Sequence, residues 1–464
     1  MKKKKRWIVG LLAIGLLCKS PEPIQAETKW PEGISISSGS ACVIEVNTGT
    51  VLYEKNATDK SYPASITKVL TVDVALENAQ LDETVVFSEE AVFGGNEGDT
   101  SNIARDYLEE MTLEETIYAV MLESANECAY ATAEHVGADM GGDYQTFIDA
   151  MNEKAKSLGC VNSNFMNPNG LHNPDHYTCA YDMALIACDA YQKEDFRIIC
   201  GSKRYTIPPT NKHSDPTYLN NNHAMIHNYK TDAYLYDYCT GGKTGFTNEA
   251  GNTLVTFAEK DGLTLCCVVM QSSRPAHYID TRALFDYCFE NFQAVNISEN
   301  ETSITETEAK DMGIFNTNGF FVTLDTNAYV VLPKDVSFSQ TSYEIVRDGL
   351  PEGTIASLRY TYADKEIGSV DIVASDIQVE DSYFEQAKQK EEASDVKVVK
   401  IKPGTIFLIV FGIILFVALV YFGKQLYEKF YVIKHNFNVW KHRKSRFRSK
   451  TKKKRYRRRD RLFK

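Results

Sequence analysis

The chain has 464 residues, 43% hydrophobic and 24% charged, which fits two or three globular domains and excludes a wholly disordered or fibrous protein. Its net charge of −11 conceals +5 over residues 2–6 and +16 over residues 424–464, so the stretch between them carries −32. An acidic body with a basic tail is a membrane-topology pattern, and it argues against a nucleic-acid partner.

Lys2 to Arg6 form a basic segment, and Trp7 to Cys18 a 12-residue apolar run. As a helix that run rises about 18 Å, short of a ~30 Å hydrocarbon core. Residues 1–26, ending on the small residue Ala26, are therefore expected as a signal peptide. Ala41 to Val46 and Thr50 to Tyr53, separated by a turn containing Gly49, predict a β-hairpin. Pro63-Ala-Ser-Ile-Thr-Lys68 then leads into the apolar run Val69 to Val72. A serine and a lysine three apart share one face of a helical turn, so the Lys68 amine can take the proton of a Ser65 nucleophile. Ser394 to Lys397 and Ser449 to Lys452 repeat the spacing in charged, linker-like sequence.

Thr112 to Val136 reads as helical, interrupted around Ser124-Ala-Asn126, and Tyr144 to Leu158 as an amphipathic helix. In an irregular turn residues i and i+2 point the same way, so Ser124 and Asn126 can face one cleft. Ser298-Glu-Asn300 repeats that pattern in a polar linker. Residues 162–182 are loop-like, and a helix follows from Tyr181 to Tyr191. Gly241-Gly-Lys-Thr-Gly245 precedes two predicted strands, Asn252 to Phe257 and Leu263 to Gln271, joined by an Asp261-Gly262 turn. Lys243 and Thr244 are suited to an anionic group, and Gly245 permits close backbone approach. Arg274 reads either as a second carboxylate ligand or as a solvated loop residue. Asp280 to Phe292 predicts a closing helix.

Beyond residue 296 short strand-like runs, Phe320–Leu324, Tyr329–Leu332, Glu344–Arg347, Ala356–Tyr362 and Ser369–Val373, predict a small all-β domain over 296–378. A charged stalk (379–403) precedes 20 uncharged residues, Gly404 to Gly423, long enough to span a bilayer. The basic tail, 424–464, then places itself in the cytoplasm, against anionic lipid, and the body outside. Eleven cysteines include no Cys-x-x-Cys pair. Their apolar contexts predict mostly free thiols, as in a reducing or anaerobic habitat. His223 and His227 have the i, i+4 spacing of a metal-binding helix but lack the intervening glutamate and a third ligand, so no metal is expected.

Ser65-x-x-Lys68, Ser124-x-Asn126 and Lys243-Thr-Gly245 occur in the order of the active-serine signature of β-lactamases and penicillin-binding proteins. The chain resembles the low-molecular-weight penicillin-binding proteins, the D-alanyl-D-alanine carboxypeptidases of bacterial walls. The resemblance covers about residues 33–292. It is carried by Val43-Ile-Glu-Val-Asn-Thr-Gly49, Tyr62-Pro-Ala-Ser-Ile-Thr-Lys68, Met151-Asn-Glu-Lys-Ala-Lys-Ser-Leu-Gly159, Asn167-Pro-Asn-Gly-Leu-His172, His176-Tyr177, Ala180-Tyr-Asp-Met-Ala184 and Gly242-Lys-Thr-Gly-Phe-Thr247.

The resemblance implies an α+β, β-lactamase/transpeptidase-like catalytic domain over 27–295, an antiparallel sheet with helices, followed as in many relatives by a small β-rich domain. Those relatives usually attach by a C-terminal amphipathic helix, where the sequence of this chain instead predicts a C-terminal transmembrane helix. It implies acyl transfer on peptidoglycan stem peptides, with β-lactams as inhibitors and no cofactor. Ser65, Lys68, Ser124 and Asn126 would be catalytic. Lys243, Thr244, Gly245, Phe246 and Arg274 would bind substrate, the Phe246 N–H joining that of Ser65 in an oxyanion hole. Ala125 and Phe246 stand where many relatives carry Gly and His, which bears on substrate preference. Two other readings are a β-lactam- or wall-sensing module and a class A-like β-lactamase. The second needs a deacylating glutamate that residues 160–182 do not contain.

Overall fold

The computed structural model describes residues 29–94, 100–301, 321–351 and 354–375. The expected signal peptide, stalk, membrane span and basic tail lie outside the described residues. Among the described residues no helix is long and apolar enough to cross a membrane.

The chain opens with the expected hairpin, β1 (Ser40–Glu45) and β2 (Val51–Lys55). A single 3₁₀ turn, Ala64–Thr67, runs directly into α1 (Lys68–Asn78). Every α1 residue from Lys68 to Ala75 is buried, as expected of a helix hydrophobic all round. The one buried acid among them, Asp73, meets Lys193 Nζ at 2.5 Å. A small hairpin of β3 (Thr84–Val86) and β4 (Glu110–Thr112) precedes α2 (Leu113–Leu122). A capping box starts α2: the Thr112 hydroxyl accepts from Glu115 N–H, and the Glu115 carboxylate accepts from Thr112 N–H.

The interruption expected at residues 124–126 separates α2 from α3 (Asn126–Asp139). Then follow α4 (Tyr144–Ser157), α5 (Ala180–Gln192) and α6 (Glu194–Gly201). A second small hairpin pairs β5 (Arg204–Ile207) with β6 (Thr217–Asn220). Three long strands come next, β7 (Cys239–Thr247), β8 (Gly251–Lys260) and β9 (Leu263–Ser272), and then α7 (Ala276–Asn291). Asp261 and Gly262 both have positive φ in the tight β8–β9 turn, the backbone that a two-residue hairpin of this hand requires.

The central sheet is antiparallel, in the order β2-β1-β9-β8-β7. Alternation along its strands divides the interior in two. Cys42, Ile44, Val255, Phe257, Cys266 and Val268 face the layer built by α1 to α6. Ala41, Val43, Leu254, Ala258, Leu265 and Cys267 face α7 through Leu284, Phe285 and Cys288. The adjacent residues Cys266 and Cys267 thus sit in different cores. All ten cysteines among the described residues are free thiols.

After α7, β10 (Phe292–Asn296) pairs with β12 (Tyr329–Pro333). β11 (Phe321–Leu324), β15 (Lys365–Ser375), β14 (Thr354–Tyr362) and β13 (Ser342–Val346) form a four-stranded antiparallel sheet in that order. The strand expected near 329–332 therefore pairs outside that sheet, with a strand that the polar sequence after residue 292 does not announce. The Tyr329 hydroxyl donates to Glu45 Oε1 at 2.8 Å, which ties this region to the end of β1.

Candidate active site

The 3₁₀ turn presents Ser65. Ala64 just before it has φ +53°, a conformation that non-glycine residues adopt at a cost of order 1–3 kcal/mol and that clusters at functional sites. Three contacts hold the turn. Thr253 Oγ1 on β8 donates to Pro63 O at 2.7 Å. Thr67 Oγ1 donates to Ala64 O at 2.9 Å. Gly170 lies so close that a Cβ there would stand 1.9 Å from Ala64 O.

Lys68 is fully buried at the start of α1. Its Nζ lies 3.1 Å from Ser65 Oγ, 2.8 Å from Asn126 Oδ1 and 2.6 Å from the carbonyl oxygen of Asn169. Burial first, and the Lys243 ammonium second, hold this amine well below the ordinary lysine range, against the opposing pull of Glu127 and Cys128. A neutral amine has two N–H groups and one lone pair. In this geometry Nζ donates to all three oxygens; in the neutral form the two carbonyl oxygens would take its N–H groups and leave the lone pair facing the Ser65 hydroxyl.

Ser124 occupies the break between α2 and α3 with φ +62°. Asn126, two residues on, is the first residue of α3, and its backbone N–H donates to Ser101 O at 2.9 Å. Ser124 and Asn126 both line the cleft that Ser65 lines, and Asn126 Oδ1 accepts from Lys68 Nζ.

Lys243, Thr244 and Gly245 were expected ahead of a strand pair, but they lie inside a strand. That strand, β7, is the first of the three long strands and forms the edge of the sheet. Lys243 is 1% exposed and donates to Thr244 O at 2.8 Å. Burial pulls it down to about 7, only partly offset by Glu123. A Cβ at Gly245 would fall 2.3 Å from Thr253 Oγ1 and 2.9 Å from Ser65 N, so glycine is what allows the edge strand to lie against the nucleophile turn. Phe246 is 61% exposed at the rim.

Ser65, Ser124, Asn126, Thr244, Gly245, Phe246 and Arg274 line one cleft of about 680 Å³, with Lys68 and Lys243 buried. All nine residues singled out in the sequence thus belong to one neighbourhood. His172, Lys230, Glu249 and His277 also line it, and nothing in the sequence marked the last three. Sequence reasoning also missed Asn169, whose backbone carbonyl accepts from Lys68 Nζ. The only available signal was the Asn167-Pro-Asn-Gly170 turn, whose Gly170 has φ +81°.

His223 and His227 lie in an irregular segment, not on a helix. His223 Nε2 meets Thr256 Oγ1 at 2.9 Å, and its Nδ1 accepts from Met225 N–H at 3.4 Å. Both ring nitrogens are therefore engaged.

The family model for D-alanyl-D-alanine carboxypeptidase matches residues 25–274. The D-alanyl-D-alanine carboxypeptidase DacF of Bacillus subtilis is 29% identical over 308 residues, 65% of this chain and 75% of the relative. A D-alanyl-D-alanine endopeptidase of Escherichia coli is 31% identical over 294 residues, 60% of this chain and 86% of the relative. The crystal structure of the Streptomyces K15 DD-transpeptidase superposes with a TM-score of 0.51 at 26% identity, covering 56% of this chain and 99% of that one. The chain belongs to the D-alanyl-D-alanine carboxypeptidase family and is a serine DD-peptidase.

Proposed function

We propose that this protein is a membrane-anchored serine carboxypeptidase that removes the terminal D-Ala from peptidoglycan stem peptides through an acyl-enzyme on Ser65. The observation that carries the reading is the set of partners around Lys68 Nζ: two carbonyl acceptors and the Ser65 hydroxyl at 3.1 Å. That set suits a neutral amine acting as general base.

Ser65 Oγ attacks the carbonyl of the penultimate D-Ala while Lys68 takes its proton. The backbone N–H groups of Ser65 and Phe246 receive the developing oxyanion. Ser124 carries the proton on to the leaving D-Ala nitrogen, and Asn126 orients Lys68 and the substrate amide. Lys243, Thr244 and Arg274 hold the terminal carboxylate. Water, deprotonated by Lys68, then releases the shortened peptide. A β-lactam acylates the same serine. The apolar run 404–423 and the basic tail hold the body on the outer face of the membrane, and that arrangement rests on the sequence pattern.

The test uses the full-length protein in detergent, with a D-Ala-D-Ala pentapeptide and a labelled penicillin. Release of D-Ala together with a lasting label that Ser65→Ala abolishes supports the reading. Rapid penicillin turnover would make it a β-lactamase. A lasting label without D-Ala release would make it a sensor. A membrane fraction that loses the protein on a carbonate wash would overturn the spanning anchor.

A further inference from the structure

His176 lies outside the cleft, and the mechanism above does not use it. It is 1% exposed, on the loop that carries Asn169 and Gly170. Its Nδ1 accepts a hydrogen bond from Met166 N–H at 3.1 Å. The ring proton is therefore on Nε2, which stands 2.9 Å from Thr67 Oγ1. The Thr67 hydroxyl in turn donates to Ala64 O, the carbonyl of the positive-φ residue before Ser65. A continuous chain of hydrogen bonds thus runs from Met166 N–H through His176 and Thr67 to the backbone of the nucleophile turn. Burial, with His172 and Lys68 adding to it, pushes the imidazole down to about 3, so it stays neutral and keeps this tautomer at any ordinary pH.

The two ends of the chain are the two parts that have to be in register. One is the 3₁₀ turn bearing Ser65. The other is the loop whose Asn169 carbonyl accepts from Lys68 Nζ at 2.6 Å. Lys68 follows Thr67 directly, so a displacement between turn and loop lengthens the Lys68–Asn169 contact and swings the amine from Ser65. Deletion of this one bridge leaves the Ser61–Thr178 backbone pairing, the Thr71 Oγ1 bond to Pro168 O at 2.6 Å and the Gly170 contact with Ala64 in place. The loop then stays attached but loses the bond that ties it to the carbonyl of Ala64 beside Ser65.

We infer that His176 is a positioning residue for the DD-peptidase reaction: as a neutral Nε2–H donor to Thr67 it sets the register between the Ser65 turn and the Asn169 carbonyl that orients Lys68. This inference rests on the assignment of Ser65 and Lys68 above. A purely structural role predicts only lost stability. A positioning role predicts loss in the acylation step, with a changed pH profile and rescue by a side chain that restores the donor.

The experiment measures the acylation rate by labelled penicillin from pH 5 to 10, and KM and kcat on a D-Ala-D-Ala peptide, for full-length wild type, His176→Leu, His176→Gln and Thr67→Val. His176→Leu and Thr67→Val are each expected to slow acylation by about 10–100-fold, the range for a small misplacement of reacting groups. KM should change little, and the ascending limb of the pH profile should move, because Lys68 loses part of its acceptor set. His176→Gln should recover most of the rate. The double variant should be no slower than either single one, since both break the same bridge. If His176→Leu fails to fold, Thr67→Val carries the test, since it removes only the hydroxyl. Unchanged acylation in folded His176→Leu or Thr67→Val overturns the inference, as does loss in His176→Gln equal to that in His176→Leu. Wild type that takes no label at Ser65 overturns the underlying reading as well.

Discussion

Lys68 Nζ and Asn126 Oδ1 are 2.8 Å apart, joining the first residue of α1 to the first residue of α3 across 58 positions of sequence. The contact places a neutral acceptor, not a carboxylate, against a buried amine whose affinity for protons is already lowered. Asn126→Asp would add a negative charge at that point and favour the ammonium form. Lys68 works as a base only when neutral, so the rate rises with pH through its pKa. The ascending limb of the acylation profile is expected to move up by about 1–3 pH units in Asn126→Asp. An unmoved limb, read with labelled penicillin across pH 5 to 10, would show that Lys68 is not the titrating base.

Gly245 offers a steric test of how the edge strand meets the nucleophile. An alanine methyl would have to find room between Thr253 Oγ1 and the backbone nitrogens of Ser65 and Ile66, at 2.3, 2.9 and 3.1 Å. The strand must move away from the turn, and the Phe246 N–H moves with it. Gly245→Ala is expected to lower the acylation rate by about 10²-fold or more while the protein stays folded by circular dichroism. Acylation at the wild-type rate would mean that β7 does not contribute to the oxyanion site.

Lys243 should take up a proton when a carboxylate substrate binds. Burial holds the free amine at about 7, so at pH 8 most molecules carry it uncharged. A bound terminal carboxylate stabilises the ammonium form and raises that value. Titration of Ser65→Ala with a D-Ala-D-Ala peptide at pH 8, in buffers of different ionisation enthalpy, should report an uptake of nearly one proton by linkage. At pH 6 the uptake should be close to zero. Equal values at the two pH values would exclude Lys243 as the titrating carboxylate ligand.

The buried histidines predict acid lability. His176 and His223 titrate near 3 in the folded chain instead of near 6.5, chiefly through burial. Between those values the unfolded chain binds protons that the folded chain does not. Stability therefore falls as pH drops through this window, by at most about 1.4 kcal/mol per pH unit for each histidine. Urea midpoints measured from pH 7 to pH 4 should decline, and His223→Gln should reduce the slope from this source by about half. A slope unchanged by His223→Gln would show that this ring protonates without unfolding the chain.

The sequence by itself determined the three motifs and their order, the β1–β2 hairpin, the break between α2 and α3, and the β8–β9 turn. Each is a local matter: a spacing of three along a helical turn, a glycine where φ is positive, an alternation of apolar residues. The short β3–β4 and β5–β6 hairpins were not legible, because strands of three or four residues carry too little periodicity to register. The Lys243-Thr-Gly segment looked like a lead-in to a strand because glycines at 241, 242 and 245 weaken the pattern. Tertiary structure made it the edge strand of the sheet.

What only the fold decided is the state of the two lysines. The spacing made Lys68 a candidate base and Lys243 a cation suited to an anionic group, but a string of residues does not say how deeply either amine is buried or which acceptors surround it. Burial beneath the cleft lowers both, and the neighbouring Lys243 adds to the fall at Lys68, since a buried charge costs more than the few acceptors nearby return. The Asn169 carbonyl and the His176–Thr67 bridge were equally invisible. They depend on backbone atoms and on a loop about 100 residues away, and no residue type announces a backbone contact. The Ser65–Lys68 spacing was therefore visible in the sequence, but the buried setting of the amine, between two carbonyl acceptors and the Ser65 hydroxyl, is a property of the folded interior.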